Sequence, residues 1–297
     1  MRILVTGATG FVGRPAVDAL RARGHHVDAP GLGRARVDLR DHDAVDRALE
    51  TLRADTLLHT AWYRGNDPIN SSHNREWIDH TGHLVQAFLR SGGRRVVTAG
   101  SCLEYELGPA PLVEDETPVR PHTAYGQAKA AMADDVRDRC AAFGAAALHL
   151  RIGFLYGQGE QPPRVVPALM EALVGGDRFA TTTGTQRRDY LHVADLAAAL
   201  AMLCEADVEG VVNVGSGAAI PVAELITAFA REIGGLDLVD FGALDLRPGD
   251  PEIIELSVKR LKAMGWQPEL SLLDGVRRTV HAMYPDLSPH DPKKETR

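Results

Sequence analysis

Tyr125-Gly126-Gln127-Ala128-Lys129 sets a phenol and an ammonium four residues apart in a segment that reads as helix, so both lie on one face a turn apart. A lysine cation beside a phenol favours the phenolate and draws its pKa from about 10 toward neutrality. Such a phenol serves as general acid and base for a hydroxyl/carbonyl pair. The Tyr-x-x-x-Lys spacing is common by chance, and its weight comes from its setting. Arg95–Ala99 reads as a strand, and Gly100-Ser101 follows at its carboxyl end, where open α/β sheets bind their ligands. There the Ser101 hydroxyl would hold a substrate oxygen against Tyr125.

A second chemical feature opens the chain. The apolar run Arg2–Val5 ends in Thr6-Gly7-Ala8-Thr9-Gly10-Phe11-Val12-Gly13 and a helical segment follows. The first glycine permits a tight turn, the second lets a pyrophosphate reach the backbone, and the third lets helix and strand pack closely, with the helix N-terminus stabilising the phosphates. This predicts dinucleotide binding. An NAD site usually places a carboxylate at the end of the second strand. That position falls near Gly31, Asp28 comes too early, and Arg34 in the following loop can pair with a 2′-phosphate. NADP(H) is therefore favoured over NAD(H).

The elements that must position these groups alternate at short intervals, as in a parallel sheet wrapped by helices. Strands are expected at Arg2–Val5, His26–Ala29, Thr56–Ala61, Arg95–Ala99 and Ala147–Ile152. Helices are expected at Phe11–Arg23, Asp43–Leu52, Glu76–Arg90 and Tyr125–Phe143. After Ile152 the rhythm breaks around prolines, glycines and the Thr181–Thr183 cluster. Helices near Val166–Val174, Asp195–Glu205, Val222–Ile233 and Leu272–Tyr284 and a short strand at Val211–Val214 follow. The expected architecture is a Rossmann-type doubly wound α/β sheet with a smaller, interleaved C-terminal substrate lobe. Residues 1–152, with part of 186–214, form the NAD(P)-binding domain. Residues 153–185 and 215–285 form the lobe, and 286–297 read as a disordered tail.

The 297 residues are 44 % hydrophobic, enough for a sizeable core. A net charge of −7 without a basic run opposes nucleic-acid binding. No apolar stretch is long enough to span a bilayer, and the first residues run straight into the glycine turn without a leader pattern, so a cytoplasmic location is expected. Cys102, Cys140 and Cys204 lack paired spacing, and the twelve histidines lack metal-ligand spacing, so neither a disulfide framework nor a metal site is expected.

Together these residues resemble the extended short-chain dehydrogenase/reductase family, specifically its sugar-nucleotide epimerases, dehydratases and reductases. Thr6–Gly13 matches the family's Thr-Gly-x-x-Gly-x-x-Gly turn, and His59-Thr60-Ala61 resembles the strand end beneath the nicotinamide half. Ser101, four residues before Tyr105, matches the Ser/Thr of its Ser-x-x-x-Tyr signature. Leu155-Tyr156-Gly157 looks like the loop after the next strand. Arg188–Asp195 is close to Arg-Asp-(Phe/Tyr)-(Ile/Leu)-His-Val-x-Asp, Arg247–Asp250 resembles the second arginine motif, and Gly265–Pro268 resembles Gly-Trp-x-Pro.

The resemblance implies a catalytic set of Ser101, Tyr125 and Lys129. It implies a cofactor site of Thr6, Gly7, Thr9, Gly10, Phe11, Val12, Gly13, Arg34, Thr60, Ala61 and Lys129, with Asp38 and Leu39 flanking the adenine. Arg188 and Arg247 would grip a substrate diphosphate, with Val166 and its neighbours Val165 and Pro167 near the nucleobase. The helices 76–90 and 125–143 would build a homodimer. Two departures matter. The dehydratases follow the catalytic Thr with Asp-Glu, whereas Cys102-Leu103 stand here, which argues against 4,6-dehydration. Trp77 and His80 occupy places usually held by Asn and Gly. The expected activity is NADPH-dependent 4-keto reduction of a nucleoside-diphosphate (deoxy)hexulose. A C4 epimerase with retained NAD is the alternative, and a non-catalytic NADP-binding sensor conflicts with the retained Tyr/Lys pair.

Overall fold

The computed structural model describes residues 1–29, 37–65, 67–108 and 111–287. Six parallel strands form the main sheet: β1 (Arg2–Thr6), β2 (His26–Asp28), β3 (Thr56–His59), β4 (Arg95–Ala99), β5 (Ala146–Ile152) and, after an excursion through a second lobe, β9 (Gly210–Val214). Their order is β2-β1-β3-β4-β5-β9. The chain runs from β1 out to the edge and returns to β3, so the strand order reverses between β1 and β3, the place where such sheets open a ligand crevice.

Both faces of this sheet are covered, and the strands are accordingly apolar on both sides. Ile3, Val5, Val97 and Leu58 join one core with α1 (Gly13–Ala22) and α6 (Val193–Glu205). Their chain neighbours Leu4, Val96 and Leu57 point the other way, into a core built with α2 (His42–Thr51), α3 (His73–Arg90) and α4 (Ala124–Phe143). The period-two alternation of a strand thus divides adjacent residues between two helical layers.

The second lobe is built from short elements. β6 (Phe154–Tyr156), β8 (Arg187–His192), β10 (Ala219–Pro221) and β12 (Ile253–Ile254) form one small sheet, and β7 (Phe179–Thr181) pairs with β11 (Val239–Phe241). α5 (Val165–Gly175), α7 (Val222–Ile233) and α9 (Leu272–Met283) enclose its core around Leu169, Leu225, Phe229 and Val276. A one-turn helix α8 (Lys259–Ala263) packs back on the first domain through Leu261.

The expected helices form within a few residues of their expected bounds. Strands β6, β7, β8, β10, β11 and β12 are not among the expected elements; they lie in the stretches where the strand–helix alternation breaks down. Arg34 and residues 288–297 of the expected tail lie outside the described residues; Asp286 and Leu287 are described, and Leu287 packs against the lobe core.

Candidate active site

The glycine turn lies at the carboxyl end of β1, over the crevice. A methyl group on Gly7 would come within 2.7 Å of the Ala61 amide nitrogen, and one on Gly13 within 2.2 Å of the Gly7 carbonyl oxygen. Those two glycines therefore hold the turn against the end of β3, and Thr60 Oγ1 donates to the Thr6 carbonyl at 2.7 Å to fasten it. A methyl on Gly10 would meet only the Gly7 carbonyl, at 3.1 Å, so its remaining surroundings are open. The Phe11 and Val12 amides at the start of α1 have no acceptor among the described residues. Such free amides at a helix N-terminus suit an anionic phosphate.

Beside the turn opens a cavity of about 490 Å³ whose walls include Thr6, Gly7, Thr9, Asp38, Leu39 and Ala61, with Val45, Leu49 and Trp77 deeper in. An apolar slot next to an open phosphate cradle fits an adenine dinucleotide. Asp38 is ion-paired with Arg40 at 2.6 Å, and the Arg40 guanidinium holds its carboxyl down to about 2. Asp28 is engaged by Arg2 at 2.6 Å and lies away from this cavity's walls. Val12 packs on the sheet core rather than lining the cavity.

Helix α4 begins where Thr123 caps it, its hydroxyl accepting the Gly126 amide at 3.0 Å. This cap sets the register that turns Lys129 inward with Tyr125 one turn above. Lys129 is buried, donates to the Ala99 carbonyl of β4 at 2.7 Å, and sits 3.8 Å from the centre of the Trp62 ring and 5.7 Å from that of Tyr125. Burial lowers it to about 7, with Glu104 opposing. His59, hydrogen-bonded to Thr6 at 2.8 Å and Thr81 at 3.1 Å, is pushed by burial and by Lys129 down to about 3, so a neutral imidazole lines the floor.

Tyr125 departs from the expectation of a lowered phenol pKa. Burial, then the Glu104 carboxylate, push it above the ordinary tyrosine value, while Arg164 and the Ser101 hydroxyl pull the other way. The phenol is thus a proton holder. Ser101, nearly buried at the end of β4, accepts the Leu103 amide at 3.2 Å, and the Ser101 amide donates to Glu104 at 2.7 Å, closing a capping box on the single 3-10 turn Cys102–Glu104. Ser101, Tyr125 and Lys129 are therefore together at the mouth of the crevice.

A second cavity of about 280 Å³ lies in the lobe, with Arg188 and Arg247 both in its wall beside Tyr190, Thr182 and Gln186. The two arginines behave differently. The Arg188 guanidinium is bonded to Asp250 at 2.6 Å and to the Arg187 and Pro251 carbonyls at 2.8 Å. Arg247 is exposed and has no side-chain partner among the described residues. Val166 faces the lobe core, and its neighbour Val165 lines the cavity. Elsewhere in that arginine motif Asp189 is structural, accepting the Ser216, Gly217 and Leu256 amides.

Sequence reading missed three groups here. Trp62 stacks on Lys129 and is held by Asn74 at 2.8 Å. Glu104 lies beneath Ser101. Glu160, 4 % exposed, is pushed by burial up to about 7 despite Arg164, and its Oε2 has no partner among the described residues. Neither Glu104, two residues before Glu106, nor Glu160, four before Arg164, is set apart by its sequence neighbours.

This geometry defines a nicotinamide-dependent oxidoreductase of the extended short-chain type: a dinucleotide cradle on a parallel sheet, with a Ser/Tyr/Lys set between cradle and lobe. Residues 3–215 match the model of the NAD dependent epimerase/dehydratase family, and the chain belongs to that family. It is 30 % identical to a UDP-glucose 4-epimerase of Mycolicibacterium smegmatis, over 94 % of this chain and 97 % of that protein. It is 31 % identical to a 3-diazoavenalumate denitrifying reductase of Streptomyces sp, over 79 % and 82 %. Among solved structures, a UDP-glucose 4-epimerase of Thermus thermophilus in complex with NAD superposes with a TM-score of 0.81 at 28 % identity, covering 94 % of this chain and 98 % of that one.

Proposed function

We propose that this chain is an NADPH-dependent reductase of a 4-keto sugar carried on a nucleoside diphosphate. The observation that carries this reading is the Ser101/Tyr125/Lys129 set beside the dinucleotide cradle, with the Lys129 ammonium 5.7 Å from the centre of the Tyr125 ring. Nicotinamide supplies hydride when bound. Ser101 orients the substrate carbonyl, and Tyr125 delivers the proton that balances reduction of that carbonyl to a hydroxyl. Lys129, in reach of Tyr125, binds the ribose hydroxyls and stabilises the phenolate left behind. Arg247, with Arg188 behind it, receives the diphosphate, for which a guanidinium fork is suited. Elimination of water has no support in this site: burial pushes the Cys102 thiol up to about 12, and Leu103 is apolar.

The preference for NADPH rests on Arg34 and on the Arg2–Asp28 pair, which leaves the end of β2 without a free carboxylate among the described residues. A C4 epimerase is the second reading, favoured by the activities named for the full-length relatives. The test is incubation with a panel of 4-keto nucleotide sugars plus NADPH or NADH, followed by absorbance, and with UDP-glucose plus NAD, followed by product analysis. Stoichiometric NADPH oxidation is expected. Interconversion of 4-hydroxy sugars with no net NADPH consumption would replace reductase by epimerase.

A further inference from the structure

Directly under Ser101 lies a buried ionic cluster that the reading above does not use. Glu104, with no exposed surface, accepts the Ser101 amide at 2.7 Å and the Arg151 Nε–H at 3.0 Å, and both its oxygens stand 3.0 Å from His149 Nε2. His149 Nδ1 is anchored on the other side by Thr98 Oγ1 at 2.7 Å. The Arg151 guanidinium lies 4.3 Å from the centre of the Tyr105 ring, and the Tyr105 hydroxyl donates to Asn213 of β9 at 2.8 Å. One carboxylate thereby ties together the ends of β4 and β5 and the turn that carries Ser101.

A buried ion cluster is expensive, and apolar residues of like volume often serve stability as well or better. Glu104 therefore calls for a role other than stability. It has no exposed surface with which to touch a substrate, and it sends its effect through two routes. The first is geometric. With the Ser101 amide fixed by Glu104 and the Leu103 amide held on Ser101 Oγ, the serine side chain is fixed in place beside Tyr125. The second is electrostatic. Facing Lys129 are the Ala99 carbonyl from β4, the Trp62 ring, the Tyr125 ring and the neutral His59 from β3, and Glu104 is the carboxylate that acts on it. Facing Tyr125 are Glu104, Cys102 and Ser101 from the turn and Arg164 at the start of α5.

We propose that Glu104, held by Arg151 and His149, is a positioning residue of the active site: it fixes the Ser101 backbone, so that the Ser101 hydroxyl is aimed, and it sets a buried carboxylate behind the Ser101/Tyr125/Lys129 set whose charge is felt at Lys129. The inference rests on the Ser101/Tyr125/Lys129 reading of the site. It makes a prediction that a merely structural carboxylate does not, because its charge must be felt at Lys129.

The Trp62 ring 3.8 Å from the ammonium provides the reporter, since Lys129 deprotonation removes a cation from the indole face. Trp62 emission in the ligand-free, full-length protein is titrated with pH, against Trp62→Phe as blank and Lys129→Met as the curve without the transition. Glu104→Gln, which keeps shape but removes charge, is expected to move the transition down by about 1 pH unit, and Glu104→Asp to hold it near wild type. Glu104→Gln combined with Arg151→Met removes both charges of the pair and serves if the single variant does not fold. With an accepted substrate, Glu104→Gln is expected to lower kcat by more than tenfold with KM changed less than threefold, and Glu104→Asp to restore part of it. An unmoved transition in both uncharged variants overturns the proposal, whatever the activity. Wild-type turnover by Tyr125→Phe instead overturns the catalytic reading, and leaves the titration free to judge Glu104.

Discussion

The three glycines of the Thr6–Gly13 turn are predicted to fail in different ways when each receives a methyl group. Gly13→Ala places Cβ 2.2 Å from the Gly7 carbonyl oxygen and 2.7 Å from its carbon. Both are backbone atoms pinned against β3, so the turn must open rather than a side chain swing aside. Overpacking of this kind costs roughly 1–3 kcal/mol, which for a domain of this size lowers Tm by about 2–10 °C. Gly10→Ala meets one atom at 3.1 Å, and Gly10 has no positive φ, so alanine fits its backbone. The loss of a glycine's freedom in the unfolded chain then leaves stability unchanged or raised by up to about 1 kcal/mol. Its methyl, however, stands where a pyrophosphate would meet the backbone. Each charge-assisted bond denied to the phosphate is worth about 1.5–3 kcal/mol, or roughly 10- to 100-fold in Kd. The assay pairs calorimetric melting with fluorescence titration by NADPH and NADH. Weak binding by Gly10→Ala at wild-type Tm, with both defects in Gly13→Ala, is the expected pattern. Wild-type affinity in Gly10→Ala would refute the placement of the phosphates over this turn.

Other residues give sharper contrasts. Tyr125→Phe removes only the transferable proton, so kcat should fall by about 10²–10⁴-fold while NADPH still binds by titration; near-normal turnover would exclude Tyr125 as the acid. Arg247→Ala should raise KM by roughly 10- to 100-fold with Tm unchanged, since its guanidinium is exposed and unpaired among the described residues. Arg188→Ala should also lower Tm, because it orphans Asp250 and the Arg187 and Pro251 carbonyls. Glu160, at about 7 in the fold against its ordinary 4.5, binds more protons folded than unfolded across that window, so its contribution falls as pH rises through it. Glu160→Gln should therefore gain stability over wild type as pH rises from 4.5 to about 8, by an amount on the order of 3 kcal/mol, read by denaturant melts at the two pH values. Helices α3 and α4 pack side by side on one face of the sheet and are predicted to pair across a two-fold axis. Sedimentation at micromolar concentration should show a dimer, and a monomer would refute it.

Much of the catalytic line was legible because it is local. A strand, a glycine-spaced turn and a helix are contiguous, and the four-residue step from Tyr125 to Lys129 is set by helical periodicity alone. Ser101 follows from the same logic, as a hydroxyl at the carboxyl end of a strand in a parallel sheet. What contiguity cannot supply is the neighbour from elsewhere in the chain. Glu104 meets Arg151 and His149 more than forty residues on, and Arg188 meets Asp250 more than sixty residues on. The side chain that lines the lobe cavity, Val165 rather than Val166, depended on how α5 rotates against α7 and α9, since one residue along a helix turns the face by about 100°. The protonation of Tyr125 lay furthest from reach. The motif supplies a cation and argues for a lowered pKa, whereas packing supplies burial and the Glu104 carboxylate and raises it. The sequence by itself determined which groups meet along one strand–turn–helix path and on one helix face. Only the tertiary structure decided their charge and their occupied partners, because both are sums over neighbours that the fold, not the chain order, brings within reach.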